Sequence, residues 1–220
     1  MNSTRERLTQ AAVKRFYRDG FRSVGLDQVL ADVGISKTAF YKHFDCKEDL
    51  VLAALEAQNQ WLQETFRAMI RKRGGAHPAE QLRSLFTVIE QILNDDTFQG
   101  CIFVNVAIEF PLQHEPAHVA AAQHKRAIES MVQDLAAQAG AANPQQMAKE
   151  LCLIMEGAYI TRHVTGDKTT IEVAHRLADM VIAAHIPSAA KAESSASAFR
   201  DKMRTAESPK SRNAEAGRAL

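Results

Sequence analysis

Cysteine is scarce in this chain: three residues in 220, an odd and widely spaced set. That count excludes a disulfide-built scaffold and points to a reducing compartment, expected to be the cytoplasm. No Cys or His pair stands at zinc-ligand spacing, so neither a metal nor a cofactor is expected. No apolar run approaches the ~18 residues of a membrane span. The polar segment from Met1 to Arg7 lacks the apolar stretch of a secretion signal, so neither membrane nor export is expected. Alternating apolar and polar runs bounded by turn residues are also missing, which excludes an extended sheet. Ser-His-acid order, a glycine-rich phosphate loop and paired carboxylates with a positioned base are absent. An enzyme is not expected.

What is present is charge, unevenly spread. Residues 1–50 hold nine Lys/Arg against seven Asp/Glu, residues 51–187 hold eleven against fifteen, and residues 188–220 hold seven against four. A chain of net charge +1 therefore has basic ends and an acidic middle, a partition that suits a nucleic-acid-facing segment once a binding element is found there.

Apolar periodicity is helical throughout, predicting an all-α fold of about nine helices. Ser3 and Glu6 form a capping box ahead of Leu8, Ala12 and Phe16, and Gly20 closes this helix. Leu26 to Val33 is entered through Gly25 and broken by Gly34, and Ser36 caps a third helix from Lys37 to Phe44. A long periodic run from Leu50 to Ile70 stops at the segment GGAHP. Pro78, Cys101, Pro116, Asn143-Pro144 and Ile171 mark the starts of five more helices. After Pro187 large apolar residues nearly vanish, and 188–220 is expected to be a disordered tail, or transiently helical near Phe199 to Arg204.

Two short helices around Gly34 predict a helix-turn-helix. Ala39, Phe40 and Phe44 share a face suited to packing. Lys37, Thr38, Tyr41 and Lys42 share the opposite one, offering two cations, a hydroxyl with a methyl, and a phenol. Such groups suit phosphate oxygens, guanine edges and thymine methyls in a major groove. The stretch Gly20 to Leu55 resembles the DNA-binding domain of TetR-family transcriptional regulators: Gly34 at the turn, Ile35-Ser36, Phe40-Tyr41, His43-Phe44 and Lys47-Glu48-Asp49-Leu50 match in order and spacing. The resemblance implies DNA contacts by Thr38, Tyr41, Lys42 and His43, with Lys47 reaching the backbone; Lys37 and Gln28 complete the candidate set. Gly25 and Cys46 depart from the family pattern, offering no side-chain oxygen where a hydroxyl or an acid usually caps. Asp45 with Glu48 is the expected substitute cap for the fourth helix.

The resemblance further implies a helix-turn-helix domain at 1–50 and a ligand-binding and dimerisation domain at 51–187. It implies a homodimer on a near-palindromic double-stranded operator, and an unidentified small-molecule effector that releases a repressor. Activation, or a protein of this fold that reads DNA weakly, are the alternatives. Met147, Leu151, Ile154, Met155 and Ala158, then Ala174, Leu177 and Val181, with Gly157 and Ala178 permitting close approach, are the expected dimer stripe. Cys101, Asn105 and Glu109 recur at i, i+4 and i+8 on an otherwise apolar helix, a pattern shared with one branch of the family. They fit either a structural network or a pocket walled by Trp61, Phe66, Phe86, Phe103 and Tyr159. Cys101, at a helix N-terminus, is also a candidate thiol sensor; Cys152 reads as inert core, and His114, His118 and His124 as a solvated helix face rather than metal ligands.

Overall fold

A computed structural model describes residues 3–186; the expectation for the tail at 188–220, with its transient helix, lies outside them. Among the described residues the chain forms nine α-helices and no strand. They are α1 (Thr4–Asp19), α2 (Leu26–Val33), α3 (Lys37–Phe40), α4 (Lys47–Gly74), α5 (Pro78–Leu93), α6 (Ile102–Glu109), α7 (Pro116–Gln138), α8 (Pro144–Thr165) and α9 (Thr170–His185).

Local chemistry accounts for the helix ends. The Ser3 hydroxyl accepts from Glu6 N–H while the Glu6 carboxylate accepts from Ser3 N–H, closing the capping box of α1. Asn143 Oδ1 accepts from Gln146 N–H, with Pro144 fixing the first turn of α8. Gly34 takes the left-handed conformation (φ 73°) that lets α2 end on a bond from its N–H to Leu30 O. Two expectations need correction. Regular helix in α3 lasts only from Lys37 to Phe40; beyond it His43 N–H bonds back to Phe40 O, three residues away, and the turn tightens. The start of α4 is not served by a box between Asp45 and Glu48: the Asp49 carboxylate accepts from Asp45 N–H instead.

Two apolar clusters divide the chain. One, in the body, joins the second half of α4 to α5, α7, α8 and α9 around Phe66, Ile70, Phe86, Val132, Met147 and Leu151. The other, in the head, joins α1, α2, α3 and the start of α4 around Leu8, Phe16, Phe21, Phe40, Phe44 and Leu50, and it takes in Ile102, Phe103 and Val106 of α6. Each large side chain buried this way contributes about 1.5–3 kcal/mol. Helix α4 crosses from one cluster to the other without a break. The body's α4–α5 hairpin is unusually close: a Cβ on Gly74 would lie 2.4 Å from the Gln81 Cα.

Candidate nucleic-acid interface and interior cavity

The head is tied together by charge as well as by packing. Arg15 of α1 makes two bonds to the Asp32 carboxylate of α2, and Arg7 Nη2 donates to Val33 O (2.7 Å), the last carbonyl of α2. Arg18 and then Arg15 hold the Asp19 carboxyl down at about 2. On this platform Ser36 Oγ accepts from Ala39 N–H (3.2 Å) and starts α3. Phe40 and Phe44 stack with centroids 5.6 Å apart and are buried.

Tyr41 turns outward, 56% exposed, its ring edge-on to Phe40. Lys37, Thr38, Lys42 and His43 are exposed beside it. Five of the seven DNA candidates thus share one solvent-facing surface. Lys37 pairs with Asp27 at 2.9 Å, both side chains well exposed. Gln28 is partly engaged, its Oε1 accepting from Gly25 N–H (2.8 Å) as the reciprocal cap of α2. Lys47 stands apart: its Nζ donates to Phe21 O (2.7 Å) and lies over the Phe16 ring, holding the α1–α2 loop onto α4.

Between head and body lies a cavity of about 380 Å³, within the range of small-molecule sites. Of the eight pocket candidates Trp61, Phe66, Cys101 and Tyr159 line it. Phe86, Phe103, Asn105 and Glu109 do not, and each has another task. Phe86 is core packing against His175. Phe103 lies flat on His124, centroids 3.8 Å apart. Asn105 Nδ2 donates to Gln99 O (3.2 Å). The Glu109 carboxylate accepts from Phe21 N–H (3.0 Å) and Arg22 N–H (2.7 Å), in the head. The i, i+4, i+8 pattern therefore serves three jobs along α6: cavity wall, loop tie and head clamp.

The polar groups of the cavity were not all foreseen. Lys125 of α7 pairs with Glu156 of α8 and sits 3.4 Å from Cys101 Sγ. Burial pulls the Lys125 ammonium down, but Cys101 and Glu156 outweigh it and leave its pKa above the ordinary value. Tyr159 also borders the cavity, its ring stacked on Phe98 with centroids 5.9 Å apart. Burial pushes its pKa far up, so it stays protonated and is a standing donor.

His124, expected on a solvated face, is buried at 5% exposure. Its Nδ1 meets Asn59 Oδ1 at 2.8 Å, and that oxygen also accepts from Gln63 Nε2, so Nδ1 carries the proton. Burial, then the Lys125 charge, lowers its pKa to about 4. The remaining histidines of that group are unremarkable: His114 is exposed, and His118 Nδ1 bonds to Phe110 O. Among the described residues no group of three or more potential ligands could hold a metal ion. Cys152 is only partly buried, though burial pushes its thiol up to about 12, the inert form expected.

The last two helices correct the expected dimer stripe. Met147, Leu151, Met155, Ala158, Ala174 and Ala178 are buried within the monomer. The rest of that stripe is not core: Ile154 and Val181 are partly buried, and Leu177 and Gly157 face solvent, Leu177 with Val173 and Met180 on α9 and Gly157 beside Leu153, Ile160 and Val164 on α8. A Cβ on Gly157 would meet nothing within 4 Å.

A short helix, a left-handed glycine turn and a second short helix, braced on a third and joined to a helical body, define a helix-turn-helix regulator of transcription. Comparison with known proteins agrees. A family profile described as "Bacterial regulatory proteins, tetR family" matches residues 8–54, and one described as "Tetracyclin repressor-like, C-terminal domain" matches residues 78–178. The chain belongs to the TetR family of transcriptional regulators. The HTH-type transcriptional regulator YjdC of Escherichia coli (strain K12) is 21% identical over 178 residues, covering 81% of this chain and 93% of the relative. SCO4454, a TetR-family transcriptional regulator from Streptomyces coelicolor, superposes with a TM-score of 0.72 at 27% identity, over 81% of this chain and 93% of its own. Reduced NemR from E. coli, at 19% identity over 80% and 95% of the two chains, shares the fold with a TM-score of 0.73.

Proposed function

We infer that this chain is a ligand-released repressor that binds a near-palindromic operator as a homodimer. The observation that carries the DNA half is the sorting of neighbours on one tight turn: Phe40 and Phe44 buried, Thr38, Tyr41, Lys42 and His43 exposed. Those side chains can enter a major groove and reach base edges and phosphates, with Lys37 and Gln28 at the margin and Lys47 acting through the α1–α2 loop. The head runs through residue 50 and the body from 51, with the solvent-facing stripes of α8 and α9 forming the dimer contact. No helix among the described residues is long and apolar enough to cross a membrane.

The effector half rests on the cavity. Its walls are mostly apolar, with Tyr159 O–H and the Lys125 ammonium as donors. They favour a small apolar molecule carrying a hydrogen-bond acceptor. Binding that prefers a head orientation unsuited to DNA lowers operator affinity by the difference in affinity for the two states. Fluorescence anisotropy on the intergenic DNA beside this chain's gene, against a shuffled duplex at fixed salt, tests the reading. A preference of about 10³-fold or more is expected; equal affinity for both duplexes removes it.

A second reading of the same cavity has one specific support, the Lys125 ammonium 3.4 Å from Cys101 Sγ. The ammonium stands beside the sulfur that would meet an electrophile or oxidant entering the cavity. Iodoacetamide labelling against pH checks this: Cys101 reacting no faster than a free thiol at pH 7 ends it.

A further inference from the structure

The cavity wall is not confined to the body. Helix α1, the first helix of the head, contributes Val13, Lys14 and Tyr17. Val13 and Tyr17 lie one turn apart and face the same way, toward α4 and the segment that precedes α6. The Tyr17 hydroxyl is fully committed there: it donates to Gly100 O (3.0 Å) and accepts from Gln99 N–H (2.8 Å). Burial raises its pKa, so the proton that makes the first bond stays on the phenol. The segment it grips is constrained in turn. Gly100 has φ 85°, and a Cβ there would lie 3.2 Å from the His163 ring on α8. It cannot yield easily toward the body, so strain at this junction falls on the Tyr17 contact. At the far end of α6, Glu109 holds Phe21 and Arg22. The head is thus fastened to both ends of one eight-residue helix, and the cavity opens beside the first fastening.

We propose that the effector touches the DNA-reading head directly: its site is a junction cavity closed on one side by Val13 and Tyr17 of α1, and occupancy releases the Tyr17 hydroxyl from Gln99 and Gly100. This rests on the reading of the cavity as an effector site. It adds that the signal need not be relayed through α4, because the ligand itself lies against α1. The ligand class is an apolar molecule of one or two rings, flat enough to slide between α1 and α4, with its acceptor toward Tyr159.

The chain carries its own reporter. Its single tryptophan, Trp61, lines the cavity, so an apolar naphthylamine bound there quenches indole emission by energy transfer. Titration of the full chain with N-phenyl-1-naphthylamine is the experiment, on wild type, Val13→Phe (head wall) and Met155→Phe (body wall). Saturable quenching of Trp61 is expected in the wild type, with affinity reduced about tenfold in both variants. Weaker binding in Met155→Phe alone overturns the direct head contact and leaves the effector site standing. No quenching in the wild type, or no effect of either variant, sinks both together.

Hydrogen exchange at the Gln99 amide is the second readout and needs no core change. Saturating probe is expected to speed it several-fold in the wild type, and Tyr17→Phe to exchange at the fast rate with or without probe. A Gln99 rate indifferent to the probe, while Trp61 is quenched, refutes the release of Tyr17.

Discussion

The Glu109 carboxylate holds the backbone of Phe21 from 88 residues away in sequence, with Phe21 N–H on one oxygen and Arg22 N–H on the other. Two consecutive amides converging on one charged acceptor make a charge-assisted clamp between α6 and the α1–α2 loop. Arg22 reinforces it by lying over the Phe110 ring and near Glu115. Bonds to charged groups contribute about 1.5–3 kcal/mol each, and this site is partly open to solvent. Glu109→Ala is therefore expected to cost about 2–4 kcal/mol in urea unfolding and to weaken operator binding. Glu109→Gln, which keeps one acceptor but points its NH₂ at the other amide, is expected in between. An alanine variant as stable as wild type would show that the clamp is ornamental.

Phe40 and Tyr41 are neighbours with opposite fates, which allows a paired prediction. Phe40→Ala empties a fully buried site and is expected to cost about 3–5 kcal/mol of stability. Tyr41→Ala and Lys42→Ala remove exposed groups and are expected to change stability by no more than about 0.5 kcal/mol. Both should weaken operator binding by about 1–3 kcal/mol, and loss of Lys42 should lower the salt slope by about one. Anisotropy at several salt concentrations separates the two effects. Unchanged DNA affinity in both exposed variants would support the alternative of a fold that reads DNA weakly.

Much of the fold was legible because helix ends are local. The Ser3–Glu6 box, the glycines at 20 and 34, Asn143-Pro144 and the prolines at 78 and 116 each act within four residues, and all fall at observed helix boundaries. The family followed from the same local register around Gly34. The cavity was half legible. Trp61 and Tyr159 are large rings on helices with apolar periodicity, but Lys125 and Glu156 come together from different helices, and no spacing announces such a pair. Tyr17 was missed for the same reason: its partners at 99 and 100 are more than eighty residues away. His124 misled because its sequence neighbours are polar, whereas burial comes from Phe103, on another helix. On α8 and α9 periodicity found an apolar stripe without saying which of two it was. The one rich in Met and Ala filled the monomer core, and the bulkier Leu, Ile and Val stripe was left outside.

That outer stripe carries the prediction on assembly. Leu153 is 74% exposed and Leu177 is 42% exposed, and Gly157 leaves open space for a partner helix to approach. A monomer showing this much aliphatic surface on two adjacent helices has an interface to cover. Leu153→Glu and Leu177→Glu are expected to leave helix content unchanged and to halve the mass measured by light scattering. A variant that keeps the wild-type mass would move the interface elsewhere.

His124 gives a pH dependence whose direction is fixed by its environment. Buried against Phe103 and beside Lys125, it protonates in the folded chain at about 4, whereas the unfolded chain protonates near the ordinary histidine value of about 6.5. Between those two values the unfolded state holds a proton that the folded state refuses, so stability falls as pH drops from about 6.5 toward 4 and is insensitive to this group above neutrality. The loss approaches about 1.4 kcal/mol per pH unit, and about 3 kcal/mol over the window. Other groups also take up protons on acidification, so the informative quantity is a difference. His124→Gln keeps a donor for Asn59 Oδ1 but cannot titrate. It is expected to be less stable than wild type at pH 7.5 and to lose less of its stability on acidification, the two curves converging near pH 4.5. Parallel urea-unfolding curves for the two chains across pH 7.5 to 4.5 would mean that His124 takes up its proton without penalty in the folded state. Its stack on Phe103 would then tolerate the charge.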